Sequence, residues 1–347
     1  MAPELSSSES RSVKNVIFCI GDGMGFEAVK AAGYYAYGET GYLSFEAFPY
    51  QAEMATYAAN TPMTDSAAAA TGMATGHKVN NGVISMELPG SGMPLKTILE
   101  ISKSEGKLVG LVSTTYITHA TPAAFAAHNP DRNNLLDIAH DYLHLTRPNI
   151  LFGGGGNGLT EKDAQAAGYT VVTDRDGLFA LNINAETHIS GQFGDTNIPY
   201  MFDGPNDLPH LSEMVSVALN LLSNAEDGFF LLVEGGRIDH AGHSNDIERN
   251  ILETMEFSKT VQAIFDRVSH RNDTLILVTA DHETGGLQVH KNNGQDRVPE
   301  ISWSTGGHTV SNVPLYAWGV NADRIGGLMN NTDLVKVAGY PPNQTYQ

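Results

Sequence analysis

The sequence predicts one α/β domain: a doubly wound, mostly parallel sheet with helices on both faces. Two observations predict it. Short apolar runs recur along the chain, and helical patterns lie between them. Strands that alternate with helices form parallel sheets covered on both sides. Such strands read as unbroken apolar runs because neither face meets water.

The runs lie at 16–20, 108–112, 149–152, 229–233, 274–279 and 314–318. The clearest helical pattern starts after Asn245-Asp246, either of which can cap it. It carries Ile247, Ile251, Met255, Val261, Phe265 and Val268 on a broad apolar face. A second spans Leu211–Leu222. The 347 residues exceed a usual single domain, but α/β folds often run this long as one unit. With 41% hydrophobic residues a large core is available. The domain is expected over 14–337, with 1–13 a flexible polar leader and 338–347 a tail. There is no internal repeat.

The formal net charge of −19 argues against nucleic acid and against an anionic membrane surface, both of which need Lys and Arg. An anionic substrate would need local positive charge, which bound metal ions supply; acidity that only maintains solubility is the other reading. The lone cysteine, Cys19, lies inside the run VIFCI and reads as a core thiol. No run reaches the roughly 20 apolar residues of a membrane span. The opening MAPELSSSESRS has no apolar signal core, so the chain is either cytosolic or has lost a signal peptide.

Parallel sheets hold ligands at the carboxyl ends of their strands. Three runs end on carboxylates: Asp22 after the first, Glu234 after 229–233, and Asp281-His282 after 274–279. Asp239 and His243, four apart, would share a helical face and grip one ion. His308 follows a glycine pair in STGGH. Nitrogen with carboxylate suits zinc and all-oxygen sets suit magnesium, so these His and Asp ligands, with Glu234 left over, fit a mixed site. Thr64-Asp65-Ser66 opens an Ala-rich helix. Asp65 or Ser66 reads as its cap; equally, a serine there sits in a positive field that suits an alkoxide or phosphate. The 21–25 glycines lack dinucleotide-binding spacing, and those at 153–156 receive no role.

VIFCIGDGMG, TDSAAAATGMATG, THATPAAFAAHNPDR, VEGGRIDHAGH, TADHETGG and STGGH resemble, in order, the signature segments of alkaline phosphatases, and they span residues 16 to 308. The resemblance implies hydrolysis of small phosphomonoesters, with broad specificity, through a transient phosphoserine at Ser66. Arg132 would grip two phosphate oxygens. Asp239, His243 and His308 would hold a first zinc, and Asp22, Asp281 and His282 a second. Asp22, Thr121 and Glu234 would surround a magnesium or another divalent ion. Asp65, His119 and His240 would sit behind these ligands or beside the phosphate. The resemblance also implies a homodimer and a periplasmic or secreted home. Two positions depart from the enterobacterial pattern: His119 replaces an aspartate, and His240 a lysine. The stretch from 282 to 308 is short where larger relatives carry a crown, which predicts an open site. Sulfatases need a C/S-x-P-x-R setting that Ser66-Ala67-Ala68 lacks. Diesterases of the wider superfamily use threonine as nucleophile. A non-catalytic phosphate or metal binder is the remaining rival, and it would be expected to lack one of these groups.

Overall fold

A computed structural model describes residues 13–182, 187–204, 207–342 and 344–345. Most of the expected leader, residues 1–12, lies outside the described residues. Twelve strands form: β1 Asn15–Ile20, β2 Tyr50–Ala55, β3 Leu108–Tyr116, β4 Ile150–Gly154, β5 Thr170–Val172, β6 Ile189–Gln192, β7 Phe229–Glu234, β8 Thr274–Thr279, β9 Gln288–Lys291, β10 Glu300–Ser302, β11 Val313–Gly319 and β12 Leu328–Asn330. Ten make one sheet in the order β12-β2-β11-β8-β1-β7-β3-β4-β6-β5, and β9 and β10 pair separately.

Every neighbouring pair in the large sheet is parallel except the two made by β11. Each of the six apolar runs lies in a strand, and β3 extends four residues past the run that announced it. Four strands of the sheet had no such signal. β2 is half exposed, and β5, β6 and β12 are only three or four residues long. Of these, β12 and β5 are at the sheet edges, where the apolar continuity by which central strands are recognised is lost.

Six helices matter for the site: α1 Phe26–Tyr37, α2 Ser66–Thr75, α3 Ala120–Ala126, α4 Leu211–Leu222, α5 Arg237–His243 and α6 Ile247–Val268. Asp246 caps α6 by accepting from Arg249 N. The α6 face buries Ile251, Val261 and Val268 as the pattern predicts, with Ile247, Met255 and Phe265 at its margin. β1, β7 and β8 are buried along their whole lengths, Cys19 included. Ala338 and Tyr340, at the start of the expected tail, are buried in the same core, and so is Val13 from the expected leader.

Helix α3 reaches this core through Phe125. Its ring lies 5.6 Å from that of Phe18 on β1 and 5.8 Å from that of Phe230 on β7. Phe125→Ala removes a fully buried ring where the sheet cannot collapse to fill the void. We expect a loss of about 3–5 kcal/mol in unfolding free energy, read by urea denaturation.

Candidate active site

The sheet register decides what meets at its upper edge. Ile20 of β1 stands opposite both Glu234 of β7 and Thr279 of β8, and Glu234 stands opposite Ser113 of β3. The residues just past these points, Asp22 and Asp281-His282, therefore emerge level with Glu234. The antiparallel β11 brings its amino end to the same edge, since its Leu315 pairs with Thr279. The loop before β11 carries His308. Gly23 turns the chain after Asp22 at φ +74°, and a Cβ there would stand 2.8 Å from the Asp239 Cα of α5. Only glycine suits both demands.

Asp22, Glu234, Asp239 and Asp281 are buried in one small region, and among the described residues no lysine or arginine pairs with any of them. Histidines are their neighbours. His282 Nε2 lies 3.1 Å from Asp281 Oδ2 and 3.6 Å from Asp22 Oδ1. His243 Nε2 is 3.3 Å from Asp239 Oδ2, and His308 Nε2 is 3.6 Å from Asp239 Oδ1 and 3.2 Å from His243 Nε2. The His282 and His308 rings stack at 3.5 Å.

The electrostatics are those of a crowded acidic chamber. Burial, then Asp281 and the other carboxylates, drives Asp22 well above the usual carboxylate range. Burial raises Glu234 to about 7 against the pull of Ser113 and Thr121. For Asp239, burial is outweighed by His243, His282 and His308, and its acidity is strengthened. His243 rises to about 9 through its bond to Asp239. Burial and then Arg132 push His119 down to about 3, and burial and then Arg237 push His240 to about 4.

Both Asp22 oxygens, Asp281 Oδ2, Glu234 Oε1, Thr121 Oγ1 and His119 Nδ1 are buried with no hydrogen-bond partner. Orphaned acceptors at this density are costly unless cations satisfy them. Three groups have ligand atoms within 4.8 Å of one another: Asp22, Asp281 and His282; Asp239, His282 and His308; and Asp22, His119 and Glu234. The donors fit divalent metal ions. The expected trio of Asp239, His243 and His308 has its ligand atoms 3.2 to 3.6 Å apart. Two groupings add to the expected division: His119, expected behind the ligands, stands with Asp22 and Glu234, and His282 also stands with Asp239 and His308.

Ser66 is the first residue of α2, a helix buried on every side. Asp65 is its cap, accepting from Ala68 N at 3.0 Å through Oδ1. The other oxygen accepts from Arg132 Nη1 and from Gly82 N, both at 3.0 Å. Capping and orientation of the arginine thus use two ends of one carboxylate, and the cap of the Asp65-Ser66 pair is Asp65. Ser66 Oγ lies 3.3 Å from His282 Nε2. Arg132 Nη2 lies 3.3 Å from His119 Nε2.

All the predicted site residues are found in this region, and several others that carried no sequence signal join them. Ser113 and Thr115 both bond Glu234 Oε2. Thr284 Oγ1 donates to Asp239 and contacts His282 Nδ1 at 3.2 Å. Gly23 N donates to Asp281 Oδ1 at 3.0 Å. Hydroxyls on strands look like ordinary β-formers, so only adjacency in the fold exposes them. The 153–156 glycines serve packing: a Cβ on Gly154 would stand 1.4 Å from Thr196 O.

A buried serine against an acidic chamber whose groups could hold metal ions, near an arginine fork, is the arrangement of a metal-dependent hydrolase of anionic esters. Residues 13–298 match the alkaline phosphatase family, and the chain belongs to it. It is a phosphoric monoester hydrolase. Alkaline phosphatase 3 of Bacillus subtilis is 31% identical over 425 aligned positions, covering 96% of this chain and 91% of that protein. Those positions outnumber the 347 residues here, so the relative carries insertions. Among solved structures, a cold-active alkaline phosphatase from a psychrophilic Shewanella matches with a TM-score of 0.85 at 29% identity, over 93% of this chain and 98% of that one. The alkaline phosphatase of the Antarctic bacterium TAB5 gives 0.85 at 27%, over 96% and 100%. A histidine-to-aspartate variant of the TAB5 enzyme has Mg bound in its M3 site.

Metal binding here should stabilise the fold. Adding a divalent ion to chelator-treated protein at a hundredfold excess over Kd is expected to add about 2.7 kcal/mol. Thermal unfolding with and without the ion tests this, and an unmoved midpoint would count against the site.

Proposed function

We propose that Ser66 is the nucleophile, that hydrolysis passes through a phosphoserine, and that two zinc ions and a third ion, magnesium or another divalent metal, occupy the three ligand groups. The observation that carries the reading is the approach of Ser66 Oγ to His282 Nε2, inside two of those groups. Asp239, His243 and His308 are the ligands for the first zinc, with His282 close beside them. Asp22, Asp281 and His282 serve the second, and Asp22, Thr121 and Glu234 the third, with His119 able to join. When bound, these ions would favour deprotonated oxygen nucleophiles and offset the charge of the phosphate.

The rest follows from the chain's own groups. Ser66 Oγ attacks phosphorus in line, the phosphorus–oxygen bond to the alcohol breaks, and the alcohol leaves. Water then attacks the phosphoserine and restores Ser66. The start of α2 directs its unpaired N–H groups at the phosphate, which suits an anion. Arg132, aimed by Asp65, presents its planar fork to two phosphate oxygens, a geometry lysine cannot copy. Glu234 is oriented by Ser113 and Thr115, and Asp281 by Gly23 N and His282 N, so the ligands are set before substrate arrives.

The short stretch between His282 and His308, which holds only the β9–β10 pair, supports an open site and broad tolerance of the leaving group. A single domain that takes in Val13, Ala338 and Tyr340 beyond the expected bounds of 14–337, homodimer formation, and a periplasmic or secreted home complete the proposal. No helix among the described residues is long and apolar enough to cross a membrane.

Ser66→Ala is expected to lower hydrolysis of an aryl phosphate by at least about a hundredfold while leaving bound zinc unchanged. Rates near the parent's would remove Ser66 from the mechanism. Parallel rates on a monoester and a diester test the class of substrate, and metal analysis of the same sample tests the two-zinc assignment.

A further inference from the structure

We propose that Arg237 is a positioning residue, which locks the His240 imidazole so that its Nε2–H serves the phosphate side of the site, and that a strap bearing Tyr200 holds Arg237 in place. The proposal rests on the reading of Ser66 and Arg132 given above.

Arg237 opens α5, where Thr114 Oγ1 accepts from the backbone N–H groups of Gly236 and Arg237 at 2.9 and 3.3 Å. Its Nη1 lies 2.7 Å from His240 Nδ1. A guanidinium has donors only, so Nδ1 must accept and the ring proton must reside on Nε2. Nε2 is then the ring nitrogen left for the site. His240 stands edge-on to His119, with ring centres 6.0 Å apart, and His119 Nε2 in turn faces Arg132. Two adjacent histidines thus each present one nitrogen to an arginine.

Stability alone gives no reason for this arrangement. Arg237 forms no ion pair among the described residues, and its Nε is buried without a partner. A buried, unmatched donor costs free energy. What Arg237 does have is restraint. The Tyr200 ring lies 3.7 Å from its Cζ, close enough for stacking and cation–π attraction.

Tyr200 is held in its turn. Ile198 N donates to Thr114 O at 2.9 Å, on β3. Met201 N donates to Glu253 Oε1 at 2.7 Å, on α6. Asp203 pairs with Arg249 at 2.6 Å, and Arg249 also grips Asp246, the α6 cap. Residues 198–203 therefore form a strap pinned at both ends, with Tyr200 pressed on the guanidinium between the pins. Orientation of this kind is a second layer of support for a site's polar groups.

The test is a double-mutant cycle on the metal-loaded enzyme, read as the inhibition constant of inorganic phosphate and as separate kcat and KM values for an aryl phosphate. Arg237→Met and His240→Ala are each expected to weaken phosphate inhibition about tenfold, with the larger change in KM. The double variant should be no worse than His240→Ala alone, because both act through one group. Additive losses would overturn the proposal. Tyr200→Phe should match the parent and Tyr200→Ala should reproduce part of the Arg237→Met loss, which keeps the idea testable if Arg237→Met folds poorly. A Tyr200→Ala enzyme with parental constants would overturn the strap. Nitrogen-15 histidine spectra of the holoenzyme should show His240 protonated at Nε2, with that preference lost in Arg237→Met. Protonation at Nδ1 in the parent would refute the lock. Full activity of Ser66→Ala would instead sink the underlying mechanism, so the two failures are distinguishable.

Discussion

Four buried carboxylates that no lysine or arginine pairs among the described residues are the constraint on which this structure turns. Like charges in a low-dielectric region repel strongly, and each carboxylate loses its hydration on burial. The protein meets part of that cost with histidines, hydroxyls and backbone N–H groups. It leaves five oxygens, on Asp22, Asp281, Glu234 and Thr121, without partners. Raised carboxylate affinity for protons relieves part of this charge, and bound cations would relieve more while suiting a phosphate ester. The net charge of −19 is thereby compatible with an anionic substrate: an acidic chamber of this kind can hold metal ions, and metal ions would attract a phosphate.

The sheet supplies the precision. Parallel strands in matched register deliver Asp22, Glu234 and Asp281-His282 to one line, and the reversed β11 returns the His308 loop to it. Facing that line, α2 and α3 bring Ser66, His119 and Thr121. Phe125 anchors α3 to the sheet, so packing of the core and placement of ligands share one interface. Asp65 joins the two halves of the phosphate machinery, since it caps the helix that begins with Ser66 and aims Arg132. Its backbone cap and side-chain ion pair depend on separate oxygens, so neither role compromises the other.

Much of this was legible in the chain. Central strands must be apolar on both faces, so β1, β7 and β8 announced themselves, and with them the carboxylates at their ends. Helix α6 was legible through its capping pair and its apolar face. Edge strands β5 and β12 were not, because they are short and partly solvated, and neither was β6, which is buried but only four residues long. The site was legible where a ligand followed a strong strand, as at Asp22, Glu234 and Asp281. It was illegible where a common hydroxyl acquires its role from a neighbour distant in sequence. Ser113 and Thr115 are such cases toward Glu234, and Thr284 is one toward Asp239.

By itself, then, the sequence indicated the fold class, the nucleophile candidate and most of the candidate ligands, because a carboxylate or histidine just past a strong strand is a local feature; Arg132 and Thr121 were indicated only by the family resemblance. The tertiary structure decided how the candidate ligands group. Asp22 and His282 each stand in two groups, and His119 enters beside Asp22 and Glu234. It also decided that Ser66, close to an even choice between helix cap and nucleophile on its local sequence, leaves capping to Asp65 and turns its own oxygen toward His282. Sharing and facing depend on distances between segments as far apart in the chain as Asp22 and His282, and only strand register and helix packing set those distances.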